Sequence, residues 1–117
     1  MSAVAKLPVL SSWFEVGAIE EIPRLGSRVI EAPSGDIALF RGSGDSVFAV
    51  DDRCPHRNGP LSQGIVHGGR VTCPLHAWKI ELATGEAVAP DVGCVRRHDT
   101  KVVDGTIYLR VAYRVGS

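Results

Sequence analysis

Short apolar runs of strand length, each closed by a glycine-containing turn, recur through this chain and leave almost no room for a helix. SRVIEA, DIALFRG, SVFAVD, RVTC, VRRHDTKVV and TIYLRV have the length and the β-branched content of strands. In the last of them Ile107, Leu109 and Val111 alternate with Tyr108, Arg110 and Ala112, which places the apolar set on one buried face. Between the runs, Ser34-Gly35, Ser43-Gly44, Gly68-Gly69 and Asp104-Gly105 supply glycine where tight hairpins need positive φ, so a hairpin is expected at each. Only GAIEEI, residues 17–22, has the makings of a helical turn, and Pro23 stops it. The fold class is mainly β.

At 117 residues, 44% hydrophobic and 22% charged, the chain suits one domain with a real core and is too short for two. Residues 1–11 read as a flexible N-terminal arm and 12–117 as the domain. Thirteen basic residues balance thirteen acidic ones, so no whole-protein field draws nucleic acid or an anionic membrane. MSAVAKLPVL has no sustained apolar segment, and no run approaches a membrane span. A cytoplasmic protein with neither nucleic-acid nor membrane partner is expected. The odd count of three cysteines agrees, because it argues against a disulfide framework.

The segment from Asp52 to about Gly69 differs in kind, being rich in Gly, Pro and polar residues in mid-chain, where long loops are usually functional. It opens with Cys54-Pro55-His56 and is answered, after sixteen residues, by Cys73-Pro74-Leu75-His76. Two thiolates and two neutral imidazoles suit zinc or an iron–sulfur centre. In zinc fingers the cysteines usually come from one turn and the histidines from another element, whereas here each loop offers one of each. Such loops can clamp two metals side by side, the cysteine pair on one and the histidine pair on the other. A Cys73–His76 nucleophilic pair is a poorer account, since it leaves Cys54 and His56 unexplained and lacks an orienting third group.

CPHRNGPLSQG together with CPLHAW resembles the two cluster-binding loops of Rieske [2Fe-2S] proteins, and the similarity runs from about Trp13 to Leu109. The resemblance implies a Rieske-type fold of antiparallel β-sheets with a small cluster-binding subdomain inserted in the β base, its loops at about 52–64 and 73–78. It also implies that Cys54 and Cys73 hold the inner iron of a [2Fe-2S] cluster while His56 and His76 hold the outer one. Replacing two thiolates by neutral imidazoles raises the potential above that of plant-type ferredoxins. High-potential Rieske proteins add a disulfide between the loops and hydroxyl donors after the second; here Arg57, Asn58 and Gly59, then Leu75, Ala77, Trp78 and Ile80, stand at those places. A midpoint near the lower end of the Rieske range, roughly −150 mV, is therefore expected. Gly59 and Gly64 are expected to let backbone N–H groups approach the sulfurs, and Pro90 marks a candidate loop covering the cluster.

A cluster with four protein ligands leaves no open position for substrate, so the resemblance implies an electron-transfer subunit with no catalytic site of its own. GIVHGGRVTCPLHAWKIELATGEAV and VGCVRRHDTKVVDGTIYL are most similar to the small subunit of assimilatory NAD(P)H nitrite reductase. That implies a large flavin and siroheme partner subunit reducing nitrite to ammonia. The alternative is the ferredoxin component of a multicomponent aromatic-ring dioxygenase, serving a flavin reductase and a terminal oxygenase; a third reading is a structural subunit with zinc or no cluster. Gly42-Ser43-Gly44 is a hairpin tip and not a dinucleotide site, because no helix follows it. Cys94 is expected to be a buried small apolar residue, His67 and His98 to be solvated surface histidines, and Arg96, Arg97 and Lys101 to form a small basic face on a strand.

Overall fold

The run Ile37-Ala38-Leu39-Phe40 is fully buried along its whole length, although neighbouring side chains of a strand point to opposite faces. It lies in β3 (Gly35–Arg41), and its two faces serve two different cores. Ile37 and Leu39 join Phe14, Val16, Ile22, Ile107 and Leu109 in one, while Ala38 and Phe40 join Leu61, Val66, Val71, Ile80 and Leu82 in the other. Burying one such large side chain contributes about 1.5–3 kcal/mol, so this single strand ties the two cores into one folding unit.

The computed structural model describes residues 13–33, 35–55, 59–75 and 77–112; the expected 1–11 arm lies outside them. The other strands are β1 (Phe14–Ala18), β2 (Ser27–Ala32), β4 (Val47–Asp51), β5 (Ile65–His67), β6 (Arg70–Thr72), β7 (Lys79–Glu81), β8 (Arg97–Val103) and β9 (Thr106–Arg110). A six-stranded sheet in the order β1-β9-β8-β4-β3-β2 forms the base, and β5-β6-β7 forms a separate three-stranded sheet. Every pairing is antiparallel. The small sheet is an insertion between β4 and β8, so the chain leaves the base once and returns once. Among the described residues no helix is long and apolar enough to cross a membrane.

All four expected hairpins are present. Gly68 and Gly69, at φ 57° and 77°, join β5 to β6, and Asp104 and Gly105, at φ 51° and 80°, join β8 to β9; two successive positive φ values are the two-residue turn that matches strand twist. At the other two the mechanism differs. Gly35 is already the first paired residue of β3, opposite Ala32, and Gly44 is not at positive φ, because the Gly42 N–H donates to the Ser46 carbonyl across a wider connection. The turn foreseen in GAIEEI is a 3-10 turn at Ile19–Glu21, held by the Ile19 N–H on the Gly105 carbonyl. Strands β1, β5 and β7 were not foreseen: β1 slips register between Glu15 and Gly17, and three residues are too few to show a period.

Candidate metal centre

The first loop leaves the base at the end of β4, and its two ends are tied by one carboxylate. Asp52 accepts the Ser62 N–H at 2.7 Å through Oδ1 and the Ser62 hydroxyl at 2.8 Å through Oδ2. The Ser62 carbonyl in turn accepts the Ser27 hydroxyl at 2.6 Å, which pins the loop to β2. Inside that closure the Cys54 N–H donates to the Gly59 carbonyl at 2.8 Å, and Cys54 is wholly buried.

The second loop follows β6 and closes on itself, the Cys73 N–H donating to the Trp78 carbonyl at 2.7 Å. Ala77 takes φ 58°, a left-handed conformation that non-glycine residues seldom adopt. Cys73 is 1% exposed, and its Sγ accepts the Leu75 N–H at 3.4 Å. The two loops meet at Gly59: a Cβ there would stand 3.1 Å from Cys73 Sγ and 3.0 Å from Leu75 Cδ1. Backbone of one loop thus lies against the sulfur of the other, as expected of Gly59. Gly64 acts differently, since a Cβ there would collide with the Thr72 carbonyl and crowd Val71; its smallness serves the approach to β6 and not to a sulfur.

A third segment packs against both loops. A Cβ on Gly93 would lie 3.2 Å from Pro55 Cβ and 3.7 Å from Trp78 Cζ3, so this segment approaches the two loops at Gly93, three residues beyond Pro90. His56 and His76, with Arg57 and Asn58, lie outside the described residues. Among the described residues no three His, Cys, Asp or Glu side chains gather as a metal site. The structure therefore places Cys54 and Cys73, and not the complete set of four.

Two expectations are corrected. Cys94 is exposed, not buried; the buried residue is its neighbour Val95, held by its N–H on the Gly85 carbonyl. His98 is 2% exposed, not solvated. Its Nδ1 accepts the Ala112 N–H at 2.9 Å, so the neutral ring carries its proton on Nε2 and donates it to Asp51 Oδ1 at 2.9 Å. Burial pushes its pKa below the ordinary histidine value, against the opposing pull of the Asp51 bond. Asp51 also receives Arg96, through Nε at 3.2 Å and NH2 at 3.2 Å. This Asp51–Arg96–His98 group joins the strand that leaves the base to the strand that returns. The basic stretch is consequently no single face, since Arg96 is engaged here, Arg97 is within 3.8 Å of Asp99, and Lys101 stacks over Trp13 at 4.5 Å. His67 is exposed, as expected.

Two buried thiols in touching loops, with Cys73 Sγ both accepting an N–H and lying against bare glycine backbone, fit an inorganic sulfide cluster, whose sulfurs need N–H donors and close backbone approach. Such a pair on a small sheet inserted in a β base suits an iron–sulfur protein of the electron-transfer class. Residues 12–99 match the Rieske [2Fe-2S] domain model, and the chain belongs to that family. It is 38% identical over 103 residues to the ferredoxin subunit of anthranilate 1,2-dioxygenase from Burkholderia cepacia, covering 87% of this chain and 94% of that one. It is 40% identical over 99 residues to the ferredoxin subunit of 3-phenylpropionate/cinnamic acid dioxygenase from Photorhabdus laumondii, covering 83% and 92%. In shape it matches a putative NADH-dependent nitrite reductase small subunit from Mycobacterium tuberculosis with a TM-score of 0.79 at 21% identity, covering 90% and 99%; at that identity the likeness speaks for the fold alone.

Proposed function

We propose that this chain is the ferredoxin component of a multicomponent aromatic-ring dioxygenase, passing single electrons from a flavin reductase to a terminal oxygenase. The observation that carries the reading is the 38% identity to a dioxygenase ferredoxin subunit over 94% of that subunit's length, a likeness in sequence as well as in size. It displaces the nitrite reductase small subunit, which is supported by fold and by a few residues around Cys94. Cys54 and Cys73 hold the inner iron of the cluster and His56 and His76 the outer one. When bound, the cluster supplies a one-electron couple. The chain's own residues exclude water from Cys54 and Cys73, fix the loops through Asp52, Ser62 and Gly59, and supply the Leu75 N–H to Cys73 Sγ.

The test is reconstitution. The protein, purified anaerobically, is brown, holds iron and no zinc, gives a Rieske-type EPR signal on reduction, and restores product formation when mixed with a reductase and an aromatic-ring oxygenase. Recovery from the native cell in a stable complex with a siroheme protein, with no support of oxygenase turnover, would overturn the dioxygenase role. A colourless protein with stoichiometric zinc would overturn the cluster itself.

A further inference from the structure

Behind Cys54 the first loop and the returning chain frame an open cavity of about 180 Å³, with Asp51, Arg53, Cys54, Pro55, Cys94 and Arg96 in its lining. No described residue of the second loop lines it. Its charges are unevenly used. Asp51 receives Arg96 and His98, which leaves its negative charge matched within the protein. Arg53 is exposed and forms no ion pair or side-chain hydrogen bond with any described residue. The described lining therefore carries a net positive charge, with the Arg53 guanidinium unpaired among the described residues.

A guanidinium in that state selects carboxylates and phosphates, which it meets with two parallel hydrogen bonds. The volume restricts the ligand further, being below the roughly 300 Å³ at which pockets begin to take drug-sized molecules. The cavity's polar, charged lining favours such an anion over an apolar aromatic ring. We propose that this cavity binds a small oxyanion, a carboxylate or phosphate, on Arg53 and that occupancy lowers the reduction potential of the cluster. The second clause rests on Cys54 being a ligand, as proposed above: a negative charge at the back of that cysteine opposes the arrival of an electron. The site would make the driving force of electron transfer depend on the anion content of the surroundings, with no contact to either redox partner.

Inorganic phosphate is the probe, replacing chloride at constant ionic strength around the cluster-loaded protein. The Rieske EPR signal is confirmed first, so that failure of the cluster reading is seen before any anion is added. The midpoint should fall with phosphate and saturate. In Arg53→Gln the half-saturating concentration should rise about tenfold or more, the loss of one charge-assisted pair; Arg24→Gln, whose guanidinium caps the Ser43 carbonyl in the base, should respond like the wild type. Because Arg53→Gln can lose its cluster, a second measurement uses the wild type alone: iodoacetamide alkylation of Cys94, localised by peptide mass, should slow with phosphate at the same half-saturation. A midpoint that drifts without saturating, or equal responses in wild type and Arg53→Gln, overturns the proposal, and so does Cys94 alkylation indifferent to phosphate.

Discussion

Replacing His98 by phenylalanine keeps a ring of similar size in the buried site and removes both of its hydrogen bonds. The Nε2–H bond to Asp51 at 2.9 Å goes to a carboxylate that keeps Arg96, and the Ala112 N–H loses its acceptor. A hydrogen bond to a charged group contributes about 1.5–3 kcal/mol and an N–H left unsatisfied costs about 1–3 kcal/mol. Half-exposure of Ala112 and the extra apolar burial of phenylalanine offset part of this, so a net loss of about 2–3 kcal/mol is expected, a drop in Tm of roughly 8–15 °C for a domain of this size. The assay is thermal unfolding of the anaerobic, cluster-loaded protein at one scan rate, followed by loss of the visible cluster band.

The pH dependence makes the test sharper. His98 has its pKa lowered, chiefly by burial, with Asp51 and Asp99 pulling it up and Arg96 pushing it down. Between that lowered value and the ordinary 6.5 the unfolded chain binds the proton and the folded chain does not. The contribution of neutral His98 is thus fully present above about pH 6.5 and declines as pH falls through the window toward the folded pKa. The phenylalanine variant has no such group. The gap between the two proteins should be widest at pH 7.5 and should narrow on acidification through pH 6.5. A gap that stays constant or widens on acidification, or a variant as stable as the wild type at pH 7.5, would refute the buried neutral histidine.

Gly59→Ala sets a Cβ 3.1 Å from Cys73 Sγ, and should lower the iron-to-protein ratio after purification while far-ultraviolet circular dichroism stays unchanged. Ser62→Ala removes the hydroxyl on Asp52 Oδ2 and leaves the backbone bond to Oδ1; a loss of about 1 kcal/mol should appear as faster cluster release to an iron chelator, and an unaltered rate would show that the hydroxyl adds nothing to the loop closure. His56→Cys or His76→Cys, where a cluster still assembles, should lower the midpoint, since a charged thiolate replaces a neutral imidazole; an unchanged midpoint in voltammetry contradicts that ligand.

The two cysteine loops were legible in the sequence because Cys54-Pro55-His56 and Cys73-Pro74-Leu75-His76 are local: a motif of three or four residues does not depend on which sheet carries it. The long strands were legible for the same reason, their period being written in six or seven residues. His98 shows where that reasoning was left incomplete. VRRHDTK reads as solvated by composition, yet Arg97 and Asp99 flank His98 on a strand, and if both point outward the period of two turns the histidine inward. Alternation, applied there as it was to Ile107 and Leu109, supplies the signal that composition hid. Cys94 is the reverse case. One residue decides whether Cys94 or Val95 faces the core, and that register is set by the Val95 N–H on the Gly85 carbonyl, a contact between a loop and a turn ten residues away. No local pattern encodes it. The cavity behind Cys54 depends on the same register, because exposing Cys94 is what brings it, with Arg96, opposite Arg53. The two cysteine loops are thus a property of short motifs, while the charge environment at their back is a property of how the returning chain docks on the base.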